Sequence, residues 1–483
     1  MTFSQSISIW GGIFDSVATT ANTTTYAFIA GTTSSNTTES KMDVPIRSAG
    51  TLSNFYMRIS ANSCSGTTTY TLRDSTTPGD VNENISVPTA TTGEFEDISN
   101  QDTITSGHQY CVHIVPAGGS TGTNTMTILK LSFLPSTSTD TVTRFVTSWA
   151  SATLVTASQS YYSAISGLGS SLSLTESTCA CRQRKTGKYR YLACQVSANN
   201  RTTATTATLR KDTGSGPANG NQTVSITSAT TGVFEDTNAS THDDSVSAGN
   251  DVDIKVATGS DTGHSLTLEN TAVSFVSDAS AGILQLTSGH SVGSSQSAAL
   301  TRFIGITGRV QGNEATEDNV KLKLGHARTY SELTAHVITN TSTTNGTMNF
   351  RKNSANGNMT FSVPNNTTGV FSDSSNTDIA GNNDYIDYAY TSGATNATII
   401  GQISCWGIQF VDLAASASLT LSSSITRGGT FFRNLTASLT FSDSNSRLLH
   451  AFRVIQETLS LSAVVLNAAK FRLPLFRKKR GWL

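Results

Sequence analysis

One seven-residue motif, Thr-Thr-Gly-x-Phe-x-Asp, occurs three times in this chain at nearly even spacing. Its glycines, Gly93, Gly232 and Gly369, lie 139 and 137 residues apart. Internal repetition of this kind constrains the architecture before any local pattern is considered. A chain that builds one module three times is expected to make surface or length, whereas an active site is usually built once.

Strand-like segments recur at equivalent places around each copy of the motif. They include runs that end in a basic residue, at 70–73, 207–210 and 348–351, and closing alternating runs at 126–133, 266–275 and 399–410. Short alternating runs bounded by Gly, Asn, Ser and Thr are typical of β-strands. A turn-separated series of them favours a sandwich or jelly roll.

The predicted fold class is therefore all-β, with three tandem antiparallel β-sandwich modules of jelly-roll-like form at residues 1–136, 137–277 and 278–413. A less similar prefix of roughly forty residues opens each module, and we expect it to add two strands. Residues 414–483 form a separate C-terminal segment with a shorter repeat.

The motif itself predicts a turn. Gly93, Gly232 and Gly369 are expected to be structural turn residues with positive φ, because glycine adopts that conformation at low cost. The phenylalanine two residues later should face the core. The aspartate after it can accept hydrogen bonds from the following turn. The alternative is an ion pair between Arg73, Arg210 or Arg351 and the motif aspartate of the same module, and we favour the turn.

Composition narrows the functional classes. Charged residues make up 13% of the chain, and the longest apolar runs are too short to cross a membrane. The first six residues have neither a basic stretch nor an apolar core, so we expect no secretory signal there. We therefore expect the protein to be made in a cytoplasm. We expect the six cysteines to be core thiols, with a Cys64–Cys111 disulfide as the alternative.

No sequence motif points to catalysis, a cofactor or a metal. The eight histidines are scattered, and no nucleophile-elbow, zinc-protease, phosphate-loop or dinucleotide motif occurs. The stretch His242-Asp243-Asp244 has ligand chemistry for a cation, but a solvated loop is the favoured interpretation. The predicted protein is non-enzymatic, with no catalytic residue, cofactor or bound metal.

The C-terminal segment repeats every 20 residues, since Ser418–Ser422 returns at 438–442 and 458–462. So short a unit cannot bury its apolar face alone and must stack on neighbouring units or on other subunits. Strand and helix cannot be separated by pattern for residues 448–455. The predicted assembly residues are Leu419, Leu421, Phe432, Leu439, Phe441, Phe452, Leu459 and Leu461.

This segment is also basic. Residues 427–480 carry ten Lys or Arg against Asp443 and Glu457, a net charge of +8, whereas the whole chain has −1 and residues 1–426 therefore carry −9. An acidic body with a basic tail suggests self-association or docking on an acidic partner. Nucleic-acid contact is not expected, because no aromatic-interleaved basic patch accompanies 478–480.

The second module carries a resemblance. Its stretches Thr208-Leu209-Arg210-Lys211, Thr231-Gly232-Val233-Phe234-Glu235-Asp236 and Val246-Ser247-Ala248-Gly249-Asn250-Asp251-Val252 are similar to a module of tailed-phage and environmental viral proteins. Such proteins are regarded as virion- or tail-associated β-sandwiches, and the likeness covers most of residues 45–411. It transfers no catalytic residue, and the third module departs from it with Ser372 in place of Glu.

The sequence thus predicts a structural protein of a virus particle, in a capsid-decoration, fibre or tail-associated role. Expected partners are further copies of the chain (a homo-oligomer) and other virion proteins, with a host-surface glycan as a further candidate and no membrane. The expected location is the virion, after synthesis in the host cytoplasm. The alternative is an extracellular or cell-surface adhesin or carbohydrate-binding protein. A third reading, a polysaccharide-degrading enzyme, would require paired carboxylates in one module.

Overall fold

The computed structural model is almost entirely β-structure, which confirms the predicted fold class. It describes residues 8–20, 22–30, 35–77, 79–136, 142–169, 172–278, 283–296, 299–310, 314–393, 398–409, 422–426 and 434–438. The described helices are one α-helix, Ala239–His242 (α1), and 3-10 helices at Glu39–Lys41, Glu176–Thr178 and Glu317–Asn319. None of them is long and apolar enough to cross a bilayer.

The strands of residues 8–409 fall into three successive sets. The first is β1 (Ser8–Thr20), β2 (Thr25–Ala27), β3 (Ser35–Asn36), β4 (Val44–Pro45), β5 (Gly50–Asn62), β6 (Thr68–Asp74), β7 (Gly79–Val87), β8 (Gly93–Ile104), β9 (Gln109–Pro116) and β10 (Thr123–Pro135). The second is β11 (Val142–Leu154), β12 (Ser160–Ser163), β13 (Gly167–Gly169), β14 (Cys181–Arg182), β15 (Gly187–Asn199), β16 (Thr205–Asp212), β17 (Pro217–Ile226), β18 (Gly232–Glu235), β19 (Asp244–Val246), β20 (Asp251–Ala257) and β21 (Leu266–Ser277). The third is β22 (Ile283–Gln296), β23 (Thr301–Ile304), β24 (Gly308–Arg309), β25 (Leu322–Lys323), β26 (Arg328–Asn340), β27 (Gly346–Lys352), β28 (Ala355–Val363), β29 (Gly369–Ala380), β30 (Tyr385–Thr391) and β31 (Thr398–Gln409).

Each set folds as a jelly roll. The eight strands common to the three sets are lettered B to I in chain order: β1, β2, β5, β6, β7, β8, β9 and β10 in module 1; β11, β12, β15, β16, β17, β18 with β19, β20 and β21 in module 2; and β22, β23, β26, β27, β28, β29, β30 and β31 in module 3. One sheet then has the order B-I-D-G and the other C-H-E-F, the two antiparallel layers of a jelly roll. The predicted boundaries at residues 136 and 277 lie between the sets.

Alternation places one apolar cluster between the two sheets of each module. In strand E of module 1, Tyr70 and Leu72 point inward and are fully buried, while Arg73 is partly exposed. The motif phenylalanines, Phe95, Phe234 and Phe371, are half-buried and pack against the clusters of their own modules. The expectation that these three residues face the core at equivalent places is confirmed.

The three B strands lie side by side, with two short strands between them. Strand β13 runs parallel between β11 and β22, and β24 runs parallel between β22 and β1, so that the three B-I-D-G sheets form one 15-stranded sheet. Gly167 has φ +114°, and a Cβ there would lie 2.1 Å from the carbonyl oxygen of Gly289. Glycine is therefore required where these backbones approach each other.

Residues 3–411 form one compact unit, and residues 1–2 with 412–483 form another. In the second unit the described residues form a hairpin of β32 (Ser422–Thr426) and β33 (Asn434–Ser438), paired from Ser422 with Ser438 to Thr426 with Asn434. All eight predicted assembly residues lie outside the described residues, as does the segment 448–455.

The turn glycines generate a prediction. Gly93, Gly232 and Gly369 have φ of +115°, +113° and +116°, and a Cβ at each would meet no atom within 4 Å. The cost of a side chain there is thus conformational. We expect Gly232→Val to lower the free energy of unfolding of module 2 by about 1–2 kcal/mol, because β-branched residues tolerate positive φ poorly.

Calorimetry on the variant and on Thr231→Val measures this. Thr231 is the exposed neighbour of Gly232. Thr231→Val is therefore the control, because it adds the same side chain at a position that does not require positive φ. Equal melting of Gly232→Val and the parent would contradict a conformational role for the glycine.

Candidate functional site

The motif aspartates cap the turn that follows them. Asp97 accepts hydrogen bonds from the backbone N–H groups of Ser99 (3.2 Å) and Asn100 (3.1 Å), and Asp373 accepts the same pair from Ser375 and Asn376, both at 3.1 Å. Burial alone would raise the pKa of Asp97, but hydrogen bonds from the Asn100 side chain, from the backbone of Asn84 and Asn100 and from the Ser99 side chain lower it to about 2. The turn-capping interpretation is confirmed.

A second aspartate of strand G recurs in all three modules. Asp102 takes the backbone N–H groups of Asn82 (2.7 Å) and Glu83 (2.8 Å), while Asp97 takes that of Asn84 (3.1 Å). Asp244 with Asp236, and Asp378 with Asp373, hold residues 221–223 and 358–360 in the same way. We call this arrangement the carboxylate clamp.

The clamp compensates for an irregularity in strand F. Pairing between strands E and F shifts register between Thr71 and Arg73, and it shifts at the equivalent places in modules 2 and 3. Three consecutive N–H groups of strand F thus turn toward the clamp, and carboxylates satisfy donors that would otherwise be buried without partners. The clamp ties the edge of one sheet to the edge of the other.

The recurrent arginines bind a different partner from the one weighed in the sequence. Arg73 Nε lies 2.7 Å from Glu39, Arg210 Nε 2.7 Å from Glu176, and Arg351 Nε 2.9 Å from Glu317. The alternative ion pair with the motif aspartates is therefore wrong for these contacts. Each glutamate is the first residue of a 3-10 helix and lies 34 residues before its arginine. That constant spacing is the feature of the sequence that could have predicted the pair.

An aromatic side chain lies beside each of these pairs, on the outward face of the C-H-E-F sheet. Tyr26, Tyr162 and Phe303 are half-buried and pair with strand H at equivalent registers. Tyr26 stacks on His113 at 5.1 Å, and the Arg351 guanidinium lies 5.2 Å from the centre of the Phe303 ring. The outward sheet faces thus present three partly exposed rings with charged neighbours.

Module 1 adds a further cluster next to its Arg–Glu pair. The ligand atoms of Glu39, Asp43 and Cys111 lie within 4.8 Å of one another. Glu39 already binds the Arg73 guanidinium, which opposes a cation, and Asp43 accepts a hydrogen bond from Ser75. These residues therefore fit a hydrogen-bonded cluster better than a metal centre.

Modules 2 and 3 keep a second buried carboxyl from another strand. Asp253 and Asp387 stand on strand H where module 1 has Cys111. Burial, with the nearby Glu176 or Glu317 carboxylate, raises the pKa of each well above its usual value. The arrangement of one arginine with two acidic groups is thus common to all three modules.

The remaining candidates from the sequence separate in space. His242 contacts Asp236 at 2.8 Å, Asp243 contacts Arg190 at 2.8 Å, and Asp244 belongs to the clamp, so these three residues do not converge on a cation. The six cysteines are all described, are buried and form no disulfide, which confirms core thiols and makes the Cys64–Cys111 disulfide wrong.

The modules contact one another through one repeated interface. In each, the residues that follow the start of the 3-10 helix form a docking segment, residues 40–48, 177–185 and 318–326. It lies against strands D and I of the next module, and we call these contacts seams 1–2, 2–3 and 3–1. Seams 1–2 and 3–1 also include strand G. Arg58, Gln195 and His336 occupy the same position of strand D and contact the docking segments at Asp318, Ser40 and Ala180, respectively.

Ion pairs accompany each seam but differ among them. Seam 1–2 has Arg47 with Glu235 and Lys41 with Glu269 (3.7 Å). Seam 2–3 has Lys185 with Glu332 (3.3 Å), and seam 3–1 has Lys323 with Glu96 (2.9 Å) and Arg58 with Asp318 (3.4 Å).

Apolar side chains cross the seams as well. Trp406 of module 3 is fully buried in the core cluster of module 2, Tyr56 and Ile128 of module 1 belong to that of module 3, and Val146 and Ala272 of module 2 belong to that of module 1. A fully buried aromatic side chain contributes on the order of 2–3 kcal/mol. Each module thus completes the core of the one before it, and three seams close a ring.

The chain was compared with protein family models, curated proteins and solved structures. No protein family model matches the chain, and no curated protein matches it. Among solved structures, that of infectious bursal disease virus, Gx strain, is 8% identical and has a TM-score of 0.16, with coverage of 95% of this chain and 88% of that chain. A likeness at this TM-score carries no argument about fold or function.

Glu83 of strand F generates a pH prediction. It is fully buried beside Asp102, and burial together with that carboxylate raises its pKa to about 8. Because the unfolded chain releases this proton near pH 4.5, the folded protein loses stability as the pH rises from about 4.5 to 8. We expect Glu83→Gln to remove this dependence and to stabilise module 1 at pH 8 by about 1–3 kcal/mol.

Denaturation across pH 5–9 measures the effect. The matched control is Gln222→Glu, because Gln222 is the equivalent residue of module 2 and is also fully buried. That substitution should introduce the same loss of stability at high pH. Parallel pH profiles for the parent and Glu83→Gln would contradict the assignment.

Proposed function

We propose that this protein is a non-enzymatic structural component of a virus particle, in a decoration, fibre or tail-associated role, which assembles with further copies or other virion proteins through its C-terminal segment. The observation that carries the proposal is ring closure. One chain builds three jelly rolls and uses their docking segments against each other. Eight-stranded jelly rolls are recurrent building blocks of viral shells and of lectins.

Ring closure determines which surfaces are left for assembly. A heterologous contact that closes on itself leaves no free copy of its two faces, so further chains cannot join through the seams. Higher assembly then requires another part of the chain. The C-terminal segment has two properties suited to assembly. It carries a 20-residue apolar repeat, and its net charge of +8 is opposite in sign to the −9 of residues 1–426.

Removing that segment tests the proposal. A chain that ends at Leu413 should keep its folded modules and lose assembly, because residues 3–411 form a compact unit without it. Light scattering on the full-length and shortened chains measures the mass, and circular dichroism checks that both are folded. The same oligomeric mass for both would overturn an assembly role for the segment.

A second function, glycan binding at a cell surface, is favoured by the outward rings. Tyr26, Tyr162 and Phe303 are partly exposed and lie close to an arginine and a glutamate. Aromatic faces beside hydrogen-bonding groups suit sugars, which have both apolar faces and hydroxyls. Three such places on one body would also raise the avidity for a glycan-coated surface.

Replacing the three rings by alanine tests this second function. If it is correct, the full-length chain binds members of a glycan array and the triple variant loses at least tenfold in apparent affinity. Ile98→Ala is the control, since Ile98 is 71% exposed and belongs to strand G. Equal binding by the triple variant and the parent, or no binding by the parent, would exclude glycan recognition by these rings.

A further inference from the structure

Seam 3–1 differs from the other two in how it is held. Modules 1 and 2, and modules 2 and 3, are joined by the chain, whereas modules 3 and 1 are joined only by contacts within the body. Its docking segment lies on Lys130 of strand I, whose ammonium group donates a 3.2 Å hydrogen bond to the carbonyl oxygen of Lys323. Lys130 is 2% exposed and lies 5.5 Å from the centre of the Tyr56 ring.

Three basic side chains come together at this seam. His326 at the end of the docking segment is half-buried, and its Nε2 atom is buried without a hydrogen-bond partner. Arg328 and Lys130, 1% and 2% exposed, are the charged groups that act on it. This arrangement is tolerable only while His326 is neutral, because a third buried cation would repel the other two.

The equivalent place in seam 2–3 shows what is missing. There the docking segment ends in Lys185, and Glu332 of strand D binds it at 3.3 Å. The residue of module 1 equivalent to Glu332 is Asn54, which has the same left-handed backbone, with φ of 56° against 59°. Seam 3–1 therefore has a neutral amide where seam 2–3 has a carboxylate.

We infer that seam 3–1 is an acid-sensitive latch: protonation of His326 against Lys130 and Arg328 opens the ring between modules 3 and 1 and leaves seams 1–2 and 2–3 closed. The ring then becomes a chain of three linked modules and exposes the outward faces of strands D, I and G of module 1. This inference does not depend on the proposed function.

Electrostatics sets the pH range of the latch. Burial, followed by the charges of Arg328 and Lys130, lowers the pKa of His326 to about 4 from 6.5. The contribution of neutral His326 to the closed seam is complete above about pH 6.5 and is lost as the pH falls toward 4. The opening equilibrium should rise about 30-fold between pH 7.5 and pH 5.

Other charged and polar groups at seam 3–1 attract one another. Glu96 binds Lys323 and attracts Lys130. Burial raises the pKa of Glu83 to about 8, so this carboxyl attracts Lys130 only where it is ionised, at higher pH. Asp318 binds Arg58, and Glu94 accepts a hydrogen bond from Tyr385. Protonation of His326 therefore adds repulsion from Lys130 and Arg328 to a seam that these contacts hold together.

Hydroxyl-radical footprinting of the full-length chain tests the latch. Tyr56, 1% exposed, reports on seam 3–1, and Trp406, fully buried, reports on seam 2–3. Rates are normalised to those of the free amino acids at each pH. The expected result is a rise of about 30-fold in Tyr56 oxidation from pH 7.5 to pH 5, with Trp406 unchanged.

Two variants separate the latch from general acid loosening. His326→Asn keeps a neutral polar side chain and should abolish the rise, and Asn54→Glu supplies the carboxylate of seam 2–3 and should suppress it. A rise of the same size in His326→Asn, a parallel rise at Trp406 or no rise in the parent would each overturn the inference.

Discussion

The contact between a docking segment and the D and I strands of the next module is the interaction on which the whole body depends. Such a contact is heterologous, so its repetition gives an open filament unless the rotation closes. Here it closes after three modules, because β13 and β24 bring the B strands together. Trp406 and Tyr56 fill cores that are not their own. A separated module would thus expose apolar surface at both ends.

Within a module, the corresponding constraint is the carboxylate clamp. Strand F loses regular pairing where it bulges, and Asp97 and Asp102 replace the missing acceptors. Because both aspartates belong to strand G of the other sheet, satisfying the backbone of one sheet also holds the two sheets together. The Arg–Glu pair holds the 3-10 helix on the C-H-E-F sheet. That helix in turn begins the docking segment.

The strands and the capped turns could be predicted from the sequence because they depend on residues that are close together along the chain. The turn capped by Asp97 involves residues two and three positions later, so a motif of seven residues contains its signal. The second clamp residue, Asp102, and the partner of Arg73 were missed, since both contacts join segments that periodicity treats separately. The order of the ring was out of reach for the same reason: Lys185 and Glu332 are 147 residues apart.

Fusion of the three modules into one chain has a consequence for how the molecule can vary. In a trimer of identical subunits, every substitution appears three times, and a change at one interface is imposed on all of them. In this chain Lys185 binds Glu332, whereas at the equivalent place of seam 3–1 the side chain of Asn54 lies close to Gly325, the residue before His326. Neither arrangement obliges the other seams to follow. A single substitution therefore changes one of the three interfaces, whereas in a symmetric trimer it would change all three.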